Sequence, residues 1–192
     1  MHRGTWCTWT SRNSDASRTA ADTEASAGRA AGNRNKTGTE ANRRPGYAFL
    51  HNAVDDHSRL AYTEILPDEK KDTAAGFWER ANAYFESYGI TVKRVLTDNG
   101  SCYRSDAFKD ALGPDIRDKR THPYLPQTNG KVERYNRTML DEWAYAKPYA
   151  SEAERVAAFA GWLHHYKHHR GHASLKGQPP ASRVTNLSGQ YS

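Results

Sequence analysis

From Tyr47 onward the sequence predicts an α/β fold, a mixed sheet with helices packed on it, and three observations carry that reading. Two apolar, β-rich runs, "YAFLHNAV" and "LAYTEIL", are separated by Asp55-Asp56-His57-Ser58-Arg59, which reads as a hairpin. Between Thr73 and Tyr88 the residues Ala74, Phe77, Trp78, Ala81, Tyr84, Phe85 and Tyr88 recur at helical spacing, and Gly89 follows as a stop signal. "VKRVLT", Val92 to Thr97, has the look of a buried strand closed by the turn-prone "DNGS".

The remaining elements follow in order. Ser105 is placed to cap a short helix, and "IRDKRTH", Ile116 to His122, is a weaker strand. Pro123 to Gly130 holds two prolines and an Asn-Gly pair without periodicity, which predicts a mobile loop. A long helix is expected from about Lys131 to Lys147. Ser151 and Glu154 fit a capping box that opens another helix through Trp162 and Tyr166, and "GQPPAS" ends the regular structure. The order β-β-α-β-α-β-α-α needs one more strand before Tyr47 to complete the sheet.

Composition divides the chain sharply. Residues 1–46 contain no Val, Ile, Leu, Phe or Tyr, too little apolar surface to offset the entropy of ordering, so this segment is expected to be disordered. It carries eight Lys/Arg and four Asp/Glu, hence four of the chain's six net positive charges. The core is expected over 47–185 and a tail over 186–192. Cys7 and Cys102 form no CxxC pattern, which supports neither a zinc ribbon nor a disulfide framework. No apolar run approaches a membrane span or a signal peptide, so a soluble, cytoplasmic protein is expected.

Two carboxylates stand where chemistry can use them. Asp98 falls where a buried strand gives way to a turn, and Glu133 in the first turn of a helix. Hard oxygen ligands of this kind suit Mg²⁺ or Mn²⁺, and a pair of such ions promotes phosphoryl transfer. On spacing alone a structural role competes: Asp98 opens an Asp-Asn-Gly turn and Glu133 favours a helix N-terminus. Lys119, Arg120, Lys131, Arg134 and Arg137 cluster around the loop and the helix of Glu133, where they would grip DNA phosphates. Tyr124, Gln127, Thr128 and Asn129 lie in the loop bordering that groove. His164 and His168, like His165 and His169, have a zinc-compatible spacing, but no third ligand is evident and a polar or DNA-facing helix end near Arg170 and His172 is expected instead.

"LTDNGSCY" followed by "HPYLPQTNGKVERYNRTM", and then "HHYKHHRGHASLKGQPPASRV", resemble the catalytic core and tail of insertion-sequence transposases related to retroviral integrases. The resemblance runs from Tyr47 to the C-terminus. It implies an RNase H-like fold, an Asp, Asp, Glu triad binding two divalent metals, DNA ends and target as partners, and a homo-oligomer. Asp98 matches the second Asp and Glu133 the Glu. The family has 35 residues between these two and this chain has 34, with the shortfall around "ALGPDIRDKR"; Lys167 stands where the family tail has Asn. Asp55 and Asp56 are then turn residues, because the first Asp belongs to the strand preceding the hairpin. An RNase H-type nuclease shares the carboxylate chemistry but leaves the loop and tail motifs unexplained. No upstream helix-turn-helix domain precedes the core, so recognition of element ends is expected to be lost.

The first Asp is missing in this frame and present in the next. Trp9 is always encoded TGG and Thr10 always begins AC, so the codon spanning them is GAC, Asp, whatever codons the gene uses. Trp6 and Cys7 likewise force GTG, Val. With permitted choices elsewhere, His2 to about Glu24 becomes "APGDLVHVDIKKLGRIPDGGGHR", which alternates as a strand should and resembles the family's segment around its first Asp. Residues 1 to about 25 are therefore expected to be out of frame, with the central strand and its ligand lost and the chain inactive in strand transfer. A non-catalytic DNA-binding or regulatory fragment is the competing expectation.

Overall fold

The structure is a computed structural model that describes residues 5–14, 48–121 and 130–184. Its strands are β1 (Thr5–Ser14), β2 (Ala48–Asp55), β3 (Ala61–Leu66), β4 (Val92–Thr97) and β5 (Arg117–Arg120). They form one mixed sheet in the order β3-β2-β1-β4-β5. β1 runs antiparallel to β2, pairing Cys7 with Asp55 through Ser14 with Ala48, and parallel to β4, pairing Trp9 with Thr97. β2 and β3 are antiparallel, β4 and β5 parallel.

β1 corrects the expected loss of the central strand and, for residues 5–14 alone, the expected disorder. Ten residues of that segment are the central strand, while 1–4 and 15–46 lie outside the described residues. The aliphatic count overlooked that Thr and Trp occupy five of the six positions from Thr5 to Thr10, and β-branched and aromatic residues suit a pleated surface. β2 and β4 also present backbone donors and acceptors on both sides, which only an intervening strand satisfies.

The hairpin forms as expected. The Asp55 carboxylate accepts from the Ser58 amide (2.7 Å) and hydroxyl (2.6 Å), and Arg59 takes the left-handed conformation (φ 66°) that closes the turn. The first helix, α1 (Lys71–Ser87), buries Ala74, Phe77, Trp78, Ala81 and Phe85, a single stripe at three- and four-residue intervals. Each large side chain of that stripe contributes about 1.5–3 kcal/mol of burial. At Gly89 (φ 71°) the chain turns into β4. Ser105 caps α2 (Asp106–Leu112) by accepting from the Phe108 amide (3.2 Å).

The expected helix from 131 to 147 divides. α3 (Gly130–Met139) continues into one π-helical turn, Leu140–Ala144, closed by the Tyr145 amide on the Leu140 carbonyl (2.8 Å). That wider turn accompanies the burial of Trp143, which packs on Phe159 (4.6 Å between rings) and donates to the Arg155 carbonyl (2.9 Å). In α4 (Glu152–His168) Ser151 accepts from the Glu154 amide, but the Glu154 carboxylate reaches back to the Ala150 amide (2.8 Å), one residue short of a reciprocal capping box.

Helices cover both faces. On one, Ala53 and Val95 pack with α1, α2 and Val184; on the other, Leu50 and Val54 pack with Val132, Tyr135 and Met139 of α3 and with Phe159 and Tyr166 of α4. The split along β2, Leu50 and Val54 to one side and Ala53 to the other, is the period-two alternation of a strand. Among the described residues no helix is long and apolar enough to cross a membrane.

Candidate functional site

Asp98 follows the last residue of β4 and sits in a tight turn. Its Oδ1 accepts from the Gly100 amide (2.8 Å), and a Cβ at residue 100 would lie 2.9 Å from that oxygen and 3.3 Å from Tyr103. A side chain there would force the Asp98 carboxylate to shift. The Asn99 amide donates to the Thr121 carbonyl (3.0 Å), tying the ends of β4 and β5 together. Lys119 and Arg120 are exposed on β5, with Arg120 3.6 Å from Asp118. Burial, reinforced by the negative charge of Asp98, pushes the Cys102 thiol up to about 11, which keeps it protonated at neutral pH.

Glu133 is exposed in the first turn of α3. A buried polar chain holds that helix on the sheet: the Asn52 amide donates to Asn136 (2.8 Å), Asn52 accepts from the Thr63 hydroxyl (2.7 Å), and Thr63 bonds the Tyr135 hydroxyl (2.6 Å). An α-helix turns about 100° per residue. Glu133 and Arg137 therefore share one flank of the buried stripe, and Lys131, Arg134 and Thr138 share the other. Tyr124, Gln127, Thr128 and Asn129 lie outside the described residues.

The second flank faces a cavity of about 500 Å³ between α3 and the segment following α4, lined among others by Arg59, Lys131, Arg134, Tyr166, Arg170 and His172. Sequence reasoning pointed to Arg170 and His172 only as a polar helix end and read Arg59 as a turn residue; nothing in sequence spacing joins them to Lys131 and Arg134. Burial first, then the charges of Arg170 and Arg59, lower His172 to about 4. Its unfolded value of 6.5 is higher, so the unfolded chain binds the extra proton between these limits. Stability is thus expected to fall as pH drops from about 6.5 to about 4. His172→Gln should flatten that limb of a denaturant-midpoint profile, and an unchanged slope would count against the assignment.

Lys167, the departure from the family's Asn, is half-buried, with its ammonium donating to the Tyr84 hydroxyl (3.1 Å) and its value lowered by burial. At the end of α4, His164 and His169 bring their Nε2 atoms to 3.3 Å and His168 stacks at 4.7 Å from His164. Among the described residues no three His, Cys, Asp or Glu side chains form a group able to hold a metal.

That result bears on the two-metal expectation. Asp98 and Glu133 offer the hard oxygen donors that Mg²⁺ or Mn²⁺ prefers. The strand that would supply the third carboxylate, Thr5–Ser14, contains no Asp or Glu. Among the described residues no third carboxylate joins Asp98 and Glu133 in a metal-holding group.

Comparison with known proteins gives the architecture its family. Two models of the integrase core domain match residues 35–115 and 114–180. Integrase ORF3 of Spiroplasma virus SpV1-C74 is 25% identical over 154 residues, covering 73% of this chain and 42% of the relative. The Pol polyprotein of the Nicotiana tabacum transposon TNT 1-94 is 33% identical over 99 residues, covering 50% of this chain and 7% of the polyprotein. The chain thus spans less than half the length of these curated relatives. Among solved structures, the BIV integrase catalytic core superposes with a TM-score of 0.60 at 20% identity over 92% of both chains. The HTLV-2 integrase catalytic core in complex with magnesium superposes at 0.62 and 14% identity, over 95% of this chain and 100% of that one. The mixed sheet is thus the RNase H-like fold of integrase cores, and the chain belongs to the integrase core-domain family, among the integrase-like DDE transposases.

Proposed function

We propose that this chain is the DNA-handling core of a transposase or integrase whose catalytic carboxylate set is incomplete. Asp98 and Glu133 are its two surviving metal-facing carboxylates, and DNA ends and target are its partners. Lys119, Arg120, Tyr124, Gln127, Asn129, Lys131, Arg134 and Arg137 are the contacts that hold DNA. An intact relative would work as a homo-oligomer with two Mg²⁺ or Mn²⁺ ions.

The observation that carries this reading is the register of the central strand. Trp9 pairs with Thr97, in parallel, and extending that register by one step would bring Thr10 to the level of Asp98. The codon spanning Trp9 and Thr10 reads GAC in the shifted frame, and an Asp there would stand beside Asp98 at the sheet's edge of chemistry. This supports the proposal that residues 1 to about 25 are read out of frame, with the core over 47–185 in frame. Sequencing the locus tests it directly: an indel between the two frames is expected, and a continuous gene with no homologous second frame would refute it.

The second reading, a non-catalytic DNA-binding fragment that interferes with active transposase by mixed assembly, is favoured by the basic flank of α3. Binding to a short duplex that weakens steeply with salt, without Mg²⁺-dependent nicking, is expected of the purified chain under both readings. Robust nicking abolished by Asp98→Ala would overturn the claim that the set is incomplete.

A further inference from the structure

We propose that the cavity between α3 and the segment after α4 is a phosphate-binding pocket, separate from the flank that bears Glu133. Four permanent cations line it, Arg59, Lys131, Arg134 and Arg170, and among the described residues no acidic side chain does. Two carboxylates compensate them from outside the lining. Asp56 pairs with Lys131 and, more distantly, with Arg59 (3.8 Å), and Glu142 holds the Arg170 guanidinium (2.8 and 2.9 Å from Nε). Arg134 has no ion-pair partner among the described residues. Four cations against two carboxylates leave a surplus of positive charge that favours a bound phosphate.

Two of the cations are also positioned before any ligand arrives. Glu142 fixes the plane of Arg170, and the Arg59 guanidinium donates to the Asp56 carbonyl within its own turn. Guanidinium forks held in place lose little entropy on binding a tetrahedral anion and match its oxygens two at a time. His172 stands edge-on to Tyr166 (4.9 Å between rings, 87°), with its Nε2 buried and without a hydrogen-bond partner. It lines the same cavity as a neutral polar group. Gly130 also lines the cavity, so the first turn of α3 adds the positive end of its dipole. A space of about 500 Å³ exceeds a bare phosphate and admits one with a sugar attached.

The phosphate is supplied either by a DNA backbone, which rests on the function proposed above, or by a free phosphate, which does not. Guanidinium modification by phenylglyoxal, mapped by mass spectrometry on the full chain, distinguishes them. Inorganic phosphate, against chloride at equal ionic strength, is expected to slow modification of Arg134 several-fold while leaving exposed Arg183 unchanged. A short duplex should do the same if DNA is the source, and Arg134→Gln should then lower the log–log salt slope of duplex binding by about 1. Protection by inorganic phosphate in a chain that binds no duplex keeps the pocket, assigns it to free phosphate and sinks the DNA reading alone. Protection by neither, or by duplex alone, overturns the pocket, because general coverage of a basic face explains the latter. Arg134 is exposed, so its Gln variant is expected to fold as the parent does.

Discussion

Replacing residues 2–24 with the shifted reading "APGDLVHVDIKKLGRIPDGGGHR" is expected to turn a chain without measurable Mg²⁺-dependent nicking into one that nicks duplex DNA. The central strand already exists in the parent and pairs on both sides, so the replacement changes what the strand carries more than whether it forms. What it adds is a carboxylate beside Asp98. Removing one preorganised group that stabilises developing charge typically costs about 10²–10³-fold in rate, and restoring a metal ligand should recover at least that scale. The control is the same replacement with the Asp of "HVD" changed to Asn, which keeps the apolar alternation and loses the ligand. Equal turnover by the Asp and Asn versions would sink the assignment, as would vigorous nicking by the parent chain.

Trp143→Ala should be the most destabilising single change in the folded core, at about 3–5 kcal/mol. Trp143 is 1% exposed, stacks on Phe159 and is one of the largest fully buried side chains. Its removal leaves a cavity at the junction of the π turn and α4 and removes the indole bond to the Arg155 carbonyl. A typical domain has only about 5–15 kcal/mol in total, so the variant should lose a large part of its cooperative urea transition. Trp143→Phe keeps most of the packing and loses the indole bond, and about 1–3 kcal/mol is expected for the lost hydrogen bond and volume. If the Ala variant unfolds within about 1 kcal/mol of the parent, the turn is not the anchor described here.

Most of the architecture was legible because its signals are local. The stripe from Ala74 to Phe85, the Asp55–Arg59 turn, the Ser105 and Ser151 caps and the Val92–Thr97 run each depend on neighbours within a few residues. Asp98 and Glu133 were singled out for the same reason, since each sits at a recognisable element end. The central strand escaped the composition argument because a strand with partners on both sides is stabilised by backbone pairing that no residue count contains. The end of α3 was read too long by helical periodicity, which does not distinguish a π turn from another α turn.

Periodicity, caps and motif order in the chain are enough to specify a mixed sheet under helices, two carboxylates at element ends and a family resemblance. Codon logic extends that to a missing Asp. Only the folded molecule decides three further matters. It sets Trp9 beside Thr97, it divides the basic residues of α3 between two flanks, and it gathers Arg59, Lys131, Arg134 and Arg170 around one cavity. Strand register and the meeting of distant cations depend on how elements pack across the sheet, and burial of the α3 stripe orients both flanks at once. Residues 59 and 170 are far apart in the chain and close in space for that reason alone.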